Sequence, residues 1–183
     1  LCLSLSGCIF HSTNSTEVGV RTKKITLLQK KGVDKTIYPP GSTFIFFPVI
    51  NDWHTFDTKL QNIEMTFTEN KGDIIGRDDL LFKTIDGNDI SLDVIISYRV
   101  IPEKAPFILE NVAASDNELR NKIVRVVARS RPRDIFGELR TEEFYNAANR
   151  STKAEKVKTV LNRILEPYGV TVERVLTKDY RFN

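Results

Sequence analysis

The stretch Ile90–Val100 is the longest run in the chain in which apolar residues recur at every second position. Its even-numbered residues are all apolar, whereas Ser91 and Asp93 between them are polar. Alternation with a period of two predicts a β-strand with one apolar face, and Pro102 ends it. The preceding segment Thr84–Asp89 has Asp-Gly at its centre, which predicts a hairpin turn. A long strand entered from a hairpin therefore commits this part of the chain to antiparallel β-structure.

Further strand patterns fill the first half of the chain. Phe44–Phe47 is apolar throughout, which predicts a strand buried on both faces. Ile63–Thr68 alternates cleanly and predicts another strand. The polar segment Glu69–Asp79 is typical of a loop between strands. Five carboxylates in this loop and in the turn after it could bind Ca²⁺: Asp73, Asp78, Asp79, Asp86 and Asp89. The ligand spacing of an EF-hand is missing, which favours ordinary hydrophilic loops.

Helical patterns take over after Pro102. Ser115 and Glu118 have capping-box spacing, and Pro132 is predicted to end or kink the helix that follows. The apolar residues of this helix predict one buried stripe: Leu119, Ile123, Val126 and Val127. A second stripe predicts the core face of a later helix: Val157, Val160, Leu161, Ile164 and Leu165. Strands, then helices, then a closing strand from Val170 predict an α+β fold with an N-terminal antiparallel β-sheet.

The N-terminal residues resemble the end of a bacterial signal peptide. The chain begins at Leu1 rather than Met, so we expect further residues upstream. The sequence Leu5-Ser6-Gly7-Cys8 resembles a lipobox, in which the cysteine carries the lipid. The alternatives are a buried first strand and the end of an uncleaved membrane anchor. We therefore assign residues 1–17 to a signal-peptide remnant, lipobox and tether, and residues 18–183 to the domain. Ile9, rather than Asp, after the cysteine favours the bacterial outer membrane over the inner one.

Composition argues against several classes of chemistry. The two cysteines both lie in the first eight residues and the chain has two histidines, so we expect no metal site and no cofactor. A net charge of +3 does not favour a nucleic-acid partner. His54 lies near Asp52, Asp57 and Ser42 in sequence, which leaves a hydrolase triad conceivable. No G-x-S-x-G pattern accompanies them, so we assign no catalytic residue.

Two groups of residues are candidates for contact with a membrane surface or a neighbouring subunit. The first is aromatic, with core packing as the alternative: Phe44, Phe46, Phe47 and Trp53. The second belongs to a basic run, with the solvated face of a helix as the alternative: Arg125, Arg129 and Arg133.

The order of these motifs resembles the SPFH or Band 7 domain of stomatins, prohibitins, flotillins and the bacterial proteins HflK and HflC. The residues that carry the resemblance span most of the chain: Val18–Val20, Pro40-Gly41, Phe44, Pro48, Phe56–Lys59, Thr84, Asp86, Gly87, Ile90–Val100, Arg120–Arg129 and Leu161–Val175. Lys59 stands where the family usually carries Arg. The long helix that usually follows the domain is not part of the sequence.

The resemblance implies a membrane-anchored scaffold without catalysis of its own. Relatives form large homo- or hetero-oligomers that organise membrane proteins, and bacterial relatives contact a membrane-bound AAA protease and restrain it. The expected partners are therefore membrane lipid, further subunits and such a protease. Two alternatives remain: a membrane-associated hydrolase, since protease activity has been proposed for some relatives, and a monomeric lipoprotein that binds a small ligand.

Overall fold

The computed structural model describes residues 9–24, 32–47 and 49–182. The chain forms two compact units, unit 1 with residues 1–59 and 100–119, and unit 2 with residues 60–99 and 120–183. The lipobox residues Leu5, Ser6, Gly7 and Cys8 lie outside the described residues. The described part has N-terminal antiparallel sheets, then helices and a closing strand, which confirms the predicted α+β class.

Unit 1 contains two small antiparallel sheets. Its strands are β1 (Ile9–Ser12), β2 (Glu17–Lys23), β3 (Gly32–Tyr38), β4 (Thr43–Phe46) and β5 (Asn51–Asp57). β1 pairs with β4, and β2 lies between β3 and β5. A 3₁₀ turn (Pro102–Lys104), helix α1 (Ala105–Asn111) and the short helix α2 (Asp116–Glu118) complete the unit. Helix α1 packs on β2 and β3, where Val18, Val20 and Ile108 are fully buried.

Unit 2 is built around the long strand that the alternation predicts. Its strands are β6 (Gln61–Met65), β7 (Leu80–Lys83), β8 (Asp89–Val100, of which Val100 belongs to unit 1) and β9 (Val170–Phe182). β8 pairs antiparallel with β6 and β7 and also pairs with β9. Its helices are α3 (Arg125–Phe136), α4 (Thr141–Tyr145) and α5 (Ala147–Leu165), followed by a 3₁₀ turn (Glu166–Tyr168). The apolar face of β8 is buried as predicted.

The turn between β7 and β8 also fixes the start of α4. Gly87 has φ +90°, which glycine adopts without strain. The Oδ1 atom of Asp86 accepts hydrogen bonds from the backbone N–H of Thr141 at 3.0 Å and from its hydroxyl at 2.9 Å. Hydrogen bonds from Thr84, and then from Thr141, hold the pKa of Asp86 at about 2. The Thr-x-Asp-Gly motif therefore has a structural role, because it ties a hairpin to a helix N-terminus.

A π-helix at Leu119–Val124 separates α2 from α3. In an α-helix, residues five apart point in directions that differ by about 140°. Hydrogen bonding from i to i+5 in a π-helix instead stacks such residues. The predicted stripe assumed α-helical spacing, and it is wrong at Val126, which is 57% exposed, whereas Val124 and Ala128 are buried. The extra residue of the π-turn rotates Arg125 inward, and its exposed fraction is 7%.

Pro132 does not end helix α3, which continues to Phe136 because Ile135 and Phe136 bury apolar side chains that offset one missing hydrogen bond. A kink at Pro132 stays a prediction. One further prediction differs from the structure. The segment Phe44–Phe47 is not buried on both faces, since β4 belongs to a two-stranded ribbon with one open side. The Ser115 cap of α2 is confirmed, because the Ser115 hydroxyl accepts a hydrogen bond from the backbone N–H of Glu118.

Candidate functional site

Aromatic rings from four strands pack together in unit 1. They are His11 of β1, Tyr38 of β3, Phe44 and Phe46 of β4, and Trp53 of β5. The Trp53 ring lies 5.2 Å from Tyr38 and 5.6 Å from Phe46, measured between centroids. Such separations are favourable for aromatic pairs. Of the predicted contact residues, Phe44, Phe46 and Trp53 are therefore partly buried and hold the sheets of unit 1 together.

Gly19 of β2 makes room for this aromatic cluster. A Cβ atom at Gly19 would lie 2.1 Å from Cη2 of Trp53, a distance that real side chains do not reach. The indole therefore occupies the space where any other residue would carry its side chain. This close approach explains the Val-Gly-Val pattern of β2. Val18 and Val20, the residues before and after Gly19, are buried in the core, and glycine between them leaves room for the indole.

Arg21 lies over the same cluster. Its guanidinium carbon is 5.0 Å from the ring centroid of Phe46 and 5.8 Å from that of Tyr38, within the range of cation–π contacts. The Arg21 side chain also forms an ion pair with Asp34. Burial alone would raise the pKa of Asp34, but hydrogen bonds from Arg21 and Thr36 outweigh it and hold this pKa at about 2. The ion pair of Arg21 and Asp34 therefore covers this side of the aromatic cluster.

The opposite side of the β1–β4 ribbon is apolar and open. Phe10 and Ile45 are direct cross-strand partners, and Phe47 continues the same face. A turn follows, in which the backbone N–H groups of Ile50 and Asn51 both donate to the Phe47 carbonyl. We call the following five residues the apolar surface, with exposed fractions of 69, 57, 57, 71 and 40%: Phe10, Ile45, Phe47, Val49 and Ile50.

The apolar surface has a basic neighbour. The backbone N–H of Lys24 donates to the Ile50 carbonyl at 2.8 Å, which places Lys24 beside the turn. Its ammonium pairs with Asp52 at 2.6 Å, and both side chains are more than 40% exposed. An exposed apolar group bordered by lysine has the composition of a surface that meets lipid at the headgroup level. Phe47 is the one predicted aromatic residue that belongs to this surface.

The predicted arginines lie elsewhere, in unit 2. Arg125 binds Asp78 at 2.6 Å and Asp73 at 2.9 Å, and Arg129 also pairs with Asp78. The Nε atom of Arg133 is buried and has no hydrogen-bond partner among the described residues. Arg125 and Arg129 are thus engaged within the chain, and Arg125 is almost completely buried. Contact of these three residues with a membrane or a subunit stays a prediction.

The residues of the conceivable triad do not meet. Among the described residues, His54 forms no hydrogen bond or ion pair with Ser42, Asp52 or Asp57. Asp52 binds Lys24, and Asp57 accepts from the backbone N–H of Lys59. A triad needs nucleophile, base and orienting carboxylate in contact, so these residues do not form that arrangement. The loop carboxylates considered for Ca²⁺ are likewise engaged, Asp73 and Asp78 by arginines and Asp79 by Arg77.

Sequence reasoning did not find Phe10, Ile45, Val49 or Ile50. One signal could have indicated them, because the apolar run from Phe44 to Ile50 is broken only by Pro48 and is longer than the four-residue strand it contains. Apolar residues beyond the strand must lie at its end, in a turn. No helix in the described part of the chain combines the length and the apolar character that crossing a bilayer requires.

Comparison with known proteins shows the family of the chain. A family model for the SPFH domain / Band 7 family matches residues 11–183, which is most of the sequence. No curated protein matches the chain. The match begins within β1 and includes the whole order of elements described above, namely antiparallel strands, helices and a closing strand. The chain therefore belongs to the SPFH domain / Band 7 family.

Proposed function

We propose that this protein is a membrane-associated scaffold subunit that meets lipid through the apolar surface and has no catalytic activity of its own. The observation that carries the proposal is the continuous exposure of Phe10, Ile45, Phe47, Val49 and Ile50 at one end of the β1–β4 ribbon. Water-soluble surfaces carry single exposed apolar residues, whereas a contiguous group marks an interaction site. Family membership supports membrane association and assembly into oligomers.

The apolar surface is suited to weak, reversible membrane contact. Full burial of one such side chain contributes about 1.5–3 kcal/mol, and the exposed area of the five corresponds to roughly three side chains. Insertion would thus yield on the order of 5 kcal/mol, comparable with a single myristoyl chain, which gives only marginal binding. Stable attachment then needs a second contribution. We propose two, lipidation of Cys8 and the avidity of many subunits on one membrane.

Vesicle flotation tests the lipid contact. The full chain should float with phosphatidylcholine vesicles that contain phosphatidylglycerol, and Phe47→Ser with Val49→Ser should lower the floating fraction about tenfold when Cys8 is replaced by Ala. The matched control is Ile85→Ser with Leu176→Ser, because these residues are exposed to a similar degree in unit 2. Equal flotation of both double variants would show that the apolar surface does not meet lipid.

Attachment through Cys8 has its own test. We propose an extracytoplasmic bacterial lipoprotein, in the outer rather than the inner membrane, on the basis of the Leu5–Cys8 pattern. Mass spectrometry of the N-terminal peptide from the native host should find diacylated or triacylated Cys8. An unmodified Cys8 within a longer retained helix would instead identify a transmembrane anchor.

The scaffold role extends to partners. We propose that assembled subunits organise membrane proteins, among them a membrane-bound AAA protease whose access to substrates they restrict. The detergent-extracted particle should contain many subunits, and cross-linking before extraction should recover the protease with it. A single-subunit mass would remove the scaffold proposal and favour a monomeric lipoprotein. Clean labelling by a fluorophosphonate probe would contradict the absence of catalysis.

A further inference from the structure

The loop between β6 and β7, residues 69–79, is held firmly against β6. The backbone N–H of Asp73 donates to the Glu64 carbonyl at 3.2 Å, and the Asp73 carboxylate accepts from the backbone N–H of Glu64 at 3.0 Å. At the other end, the backbone N–H of Asp78 donates to the Thr66 carbonyl at 2.9 Å. Gly72 lies so close that a Cβ would be 2.9 Å from the Glu64 carbonyl oxygen. Both ends of the loop are therefore fixed.

Arginines from the π-helix and α3 fix the same loop from a second side. Arg120 binds Asp73 at 2.5 Å, and Arg125 binds both Asp73 and Asp78. Arg120 and Arg125 are five residues apart, and the π-helix is the reason that both reach one carboxylate. Asp78 is only 3% exposed. Asp78 is thus buried, and arginines neutralise both Asp73 and Asp78, so these charges do not oppose contact between the outer side of the loop and a partner.

The loop exposes a pair of isoleucines at its tip. Ile75 is 91% exposed and Ile74 is 41% exposed, between Gly72 and Gly76. Single exposed apolar residues are ordinary. The Ile74–Ile75 pair is different, because ion pairs already immobilise its loop in the folded chain. Binding of a partner would therefore cost little further conformational entropy. Preorganisation of this kind favours binding. Unit 2 buries little of Ile75.

Unit 1 of the same chain contains a groove of complementary character. It has a volume of about 330 Å³ and lies between β3 and α1. Three apolar and three charged residues line it: Val33, Pro106 and Phe107, with Lys35, Glu103 and Glu110. In the described part of the chain, Lys71, Glu103 and Glu110 form no ion pair. Lys71 precedes Ile74 by three residues in the same loop, and it carries the charge opposite to that of the two glutamates.

We propose that the Ile74–Ile75 tip of one copy docks into the β3–α1 groove of a second copy, with Lys71 facing Glu103 and Glu110. One chain carries one tip and one groove, so the contact is heterologous and can be repeated from copy to copy, as a ring or a filament requires. This inference rests on the proposed scaffold function, for which it names the subunit contact. A second copy fits better than lipid, since a bilayer would leave the groove and the two glutamates in its lining unused.

Site-specific photo-cross-linking tests the contact directly. The full chain carries p-benzoyl-L-phenylalanine in place of Ile75, and unlabelled copies are mixed with copies labelled with ¹⁵N. After irradiation of the vesicle-bound or detergent-extracted protein, peptides are identified by mass spectrometry. The expected cross-links join position 75 of one copy to residues 33–35 or 103–110 of the other. Adducts with lipid, with an unrelated protein or with other regions of the chain would overturn the inference.

Substitutions in the tip and in the charged residues provide an independent test. Ile74→Ser with Ile75→Ser should raise the concentration at which the particle dissociates by tenfold or more. Ile85→Ser is the control, because Ile85 is 64% exposed in a turn of the same unit. Lys71→Glu alone and Glu103→Lys with Glu110→Lys should each weaken assembly, and their combination should restore it. Failure of the combination to restore assembly would exclude the proposed pairing.

The outcomes separate the two proposals. Particle mass and vesicle flotation are measured on the same samples. A wild-type chain that remains a monomer on vesicles and in detergent contradicts both the scaffold function and the docking contact. A wild-type chain that assembles, together with an Ile74→Ser/Ile75→Ser variant that assembles equally well, contradicts the docking contact alone. Loss of assembly, with flotation retained where Cys8 is lipidated, is the result that we expect for this variant.

Discussion

Replacing Asp78 by Ala should lower the free energy of unfolding by about 3 kcal/mol. Breaking a buried ion pair by removing one partner costs about 3–5 kcal/mol, because the other charge remains buried. Here the Arg125 side chain is 9% exposed and cannot be rehydrated in place. Arg125 keeps Asp73 at 2.9 Å, and the Arg129 side chain is 41% exposed and can turn to water. These two features place the expected cost at the lower end of the range.

Urea unfolding followed by far-UV circular dichroism measures this cost. With a slope of about 2 kcal/mol per molar urea, the midpoint should fall by about 1.5 M. Trp53 lies in unit 1, so tryptophan fluorescence recorded in parallel shows whether unit 1 responds as well. The control is Asp134→Ala, which removes a pair with Arg131 at 3.7 Å whose side chains are more than half exposed. That pair should contribute less than about 0.5 kcal/mol.

A double-mutant cycle separates the pair from its surroundings. Asp78→Ala combined with Arg125→Met removes both buried charges, so the combined loss should be smaller than the sum of the two single losses by about 1–3 kcal/mol. If Asp78→Ala shifts the midpoint no more than Asp134→Ala does, the ion pairs do not hold the loop. The Ile74–Ile75 tip would then not be preorganised either.

Three further changes test other contacts. Gly19→Ala should cost about 1–3 kcal/mol, because its Cβ would overlap the Trp53 indole, and thermal unfolding should show most of this loss disappearing when Trp53→Leu is added. The pKa of Asp86 is held at about 2 by hydrogen bonds, first from Thr84, so its stabilisation is complete above the unfolded value of about 3.9 and disappears as the pH falls through about 2. A Tm profile of Asp86→Ala between pH 4 and pH 2 should therefore be flatter than that of the wild type. Burial raises the pKa of Asp116, so ionisation of this carboxyl destabilises the fold as the pH rises past about 3.9. Asp116→Asn should therefore raise Tm at pH 7, and an unchanged or lower Tm would contradict this.

The sequence predicted elements whose pattern is local. The alternation of Ile90–Val100, the Asp-Gly hairpin and the Ser115 cap each depend on neighbours a few residues away, and all three are present. The apolar side of α5 was also predictable, because Val157, Leu161 and Leu165 recur at helical spacing and are buried. In these elements, local preference and tertiary packing favour the same structure.

Features that depend on distant residues were not predictable. The π-helix contains Arg120, which pairs with Asp73, a residue almost fifty positions earlier in the sequence. Helix propensity depends on neighbouring residues and does not predict such a contact. The exposure of Ile45 and Phe47 follows from the pairing of β4 with β1 alone, which leaves one side of the ribbon open. Periodicity within Phe44–Phe47 cannot reveal how many strands will flank it.

The π-turn between Arg120 and Arg125 compensates for the number of residues that separate them. A π-turn is equivalent to one residue inserted into an α-helix, so deletion of Asn121 or Lys122 would leave a continuous helix of ordinary geometry. The two arginines would then be four residues apart and would differ in direction by about 40°, so both would still face Asp73. If the helix instead kept every residue but adopted α-helical geometry, their directions would differ by about 140° and Asp73 would lose one of its two arginines. The wide turn and the additional residue must therefore be gained or lost together in any longer or shorter form of this helix.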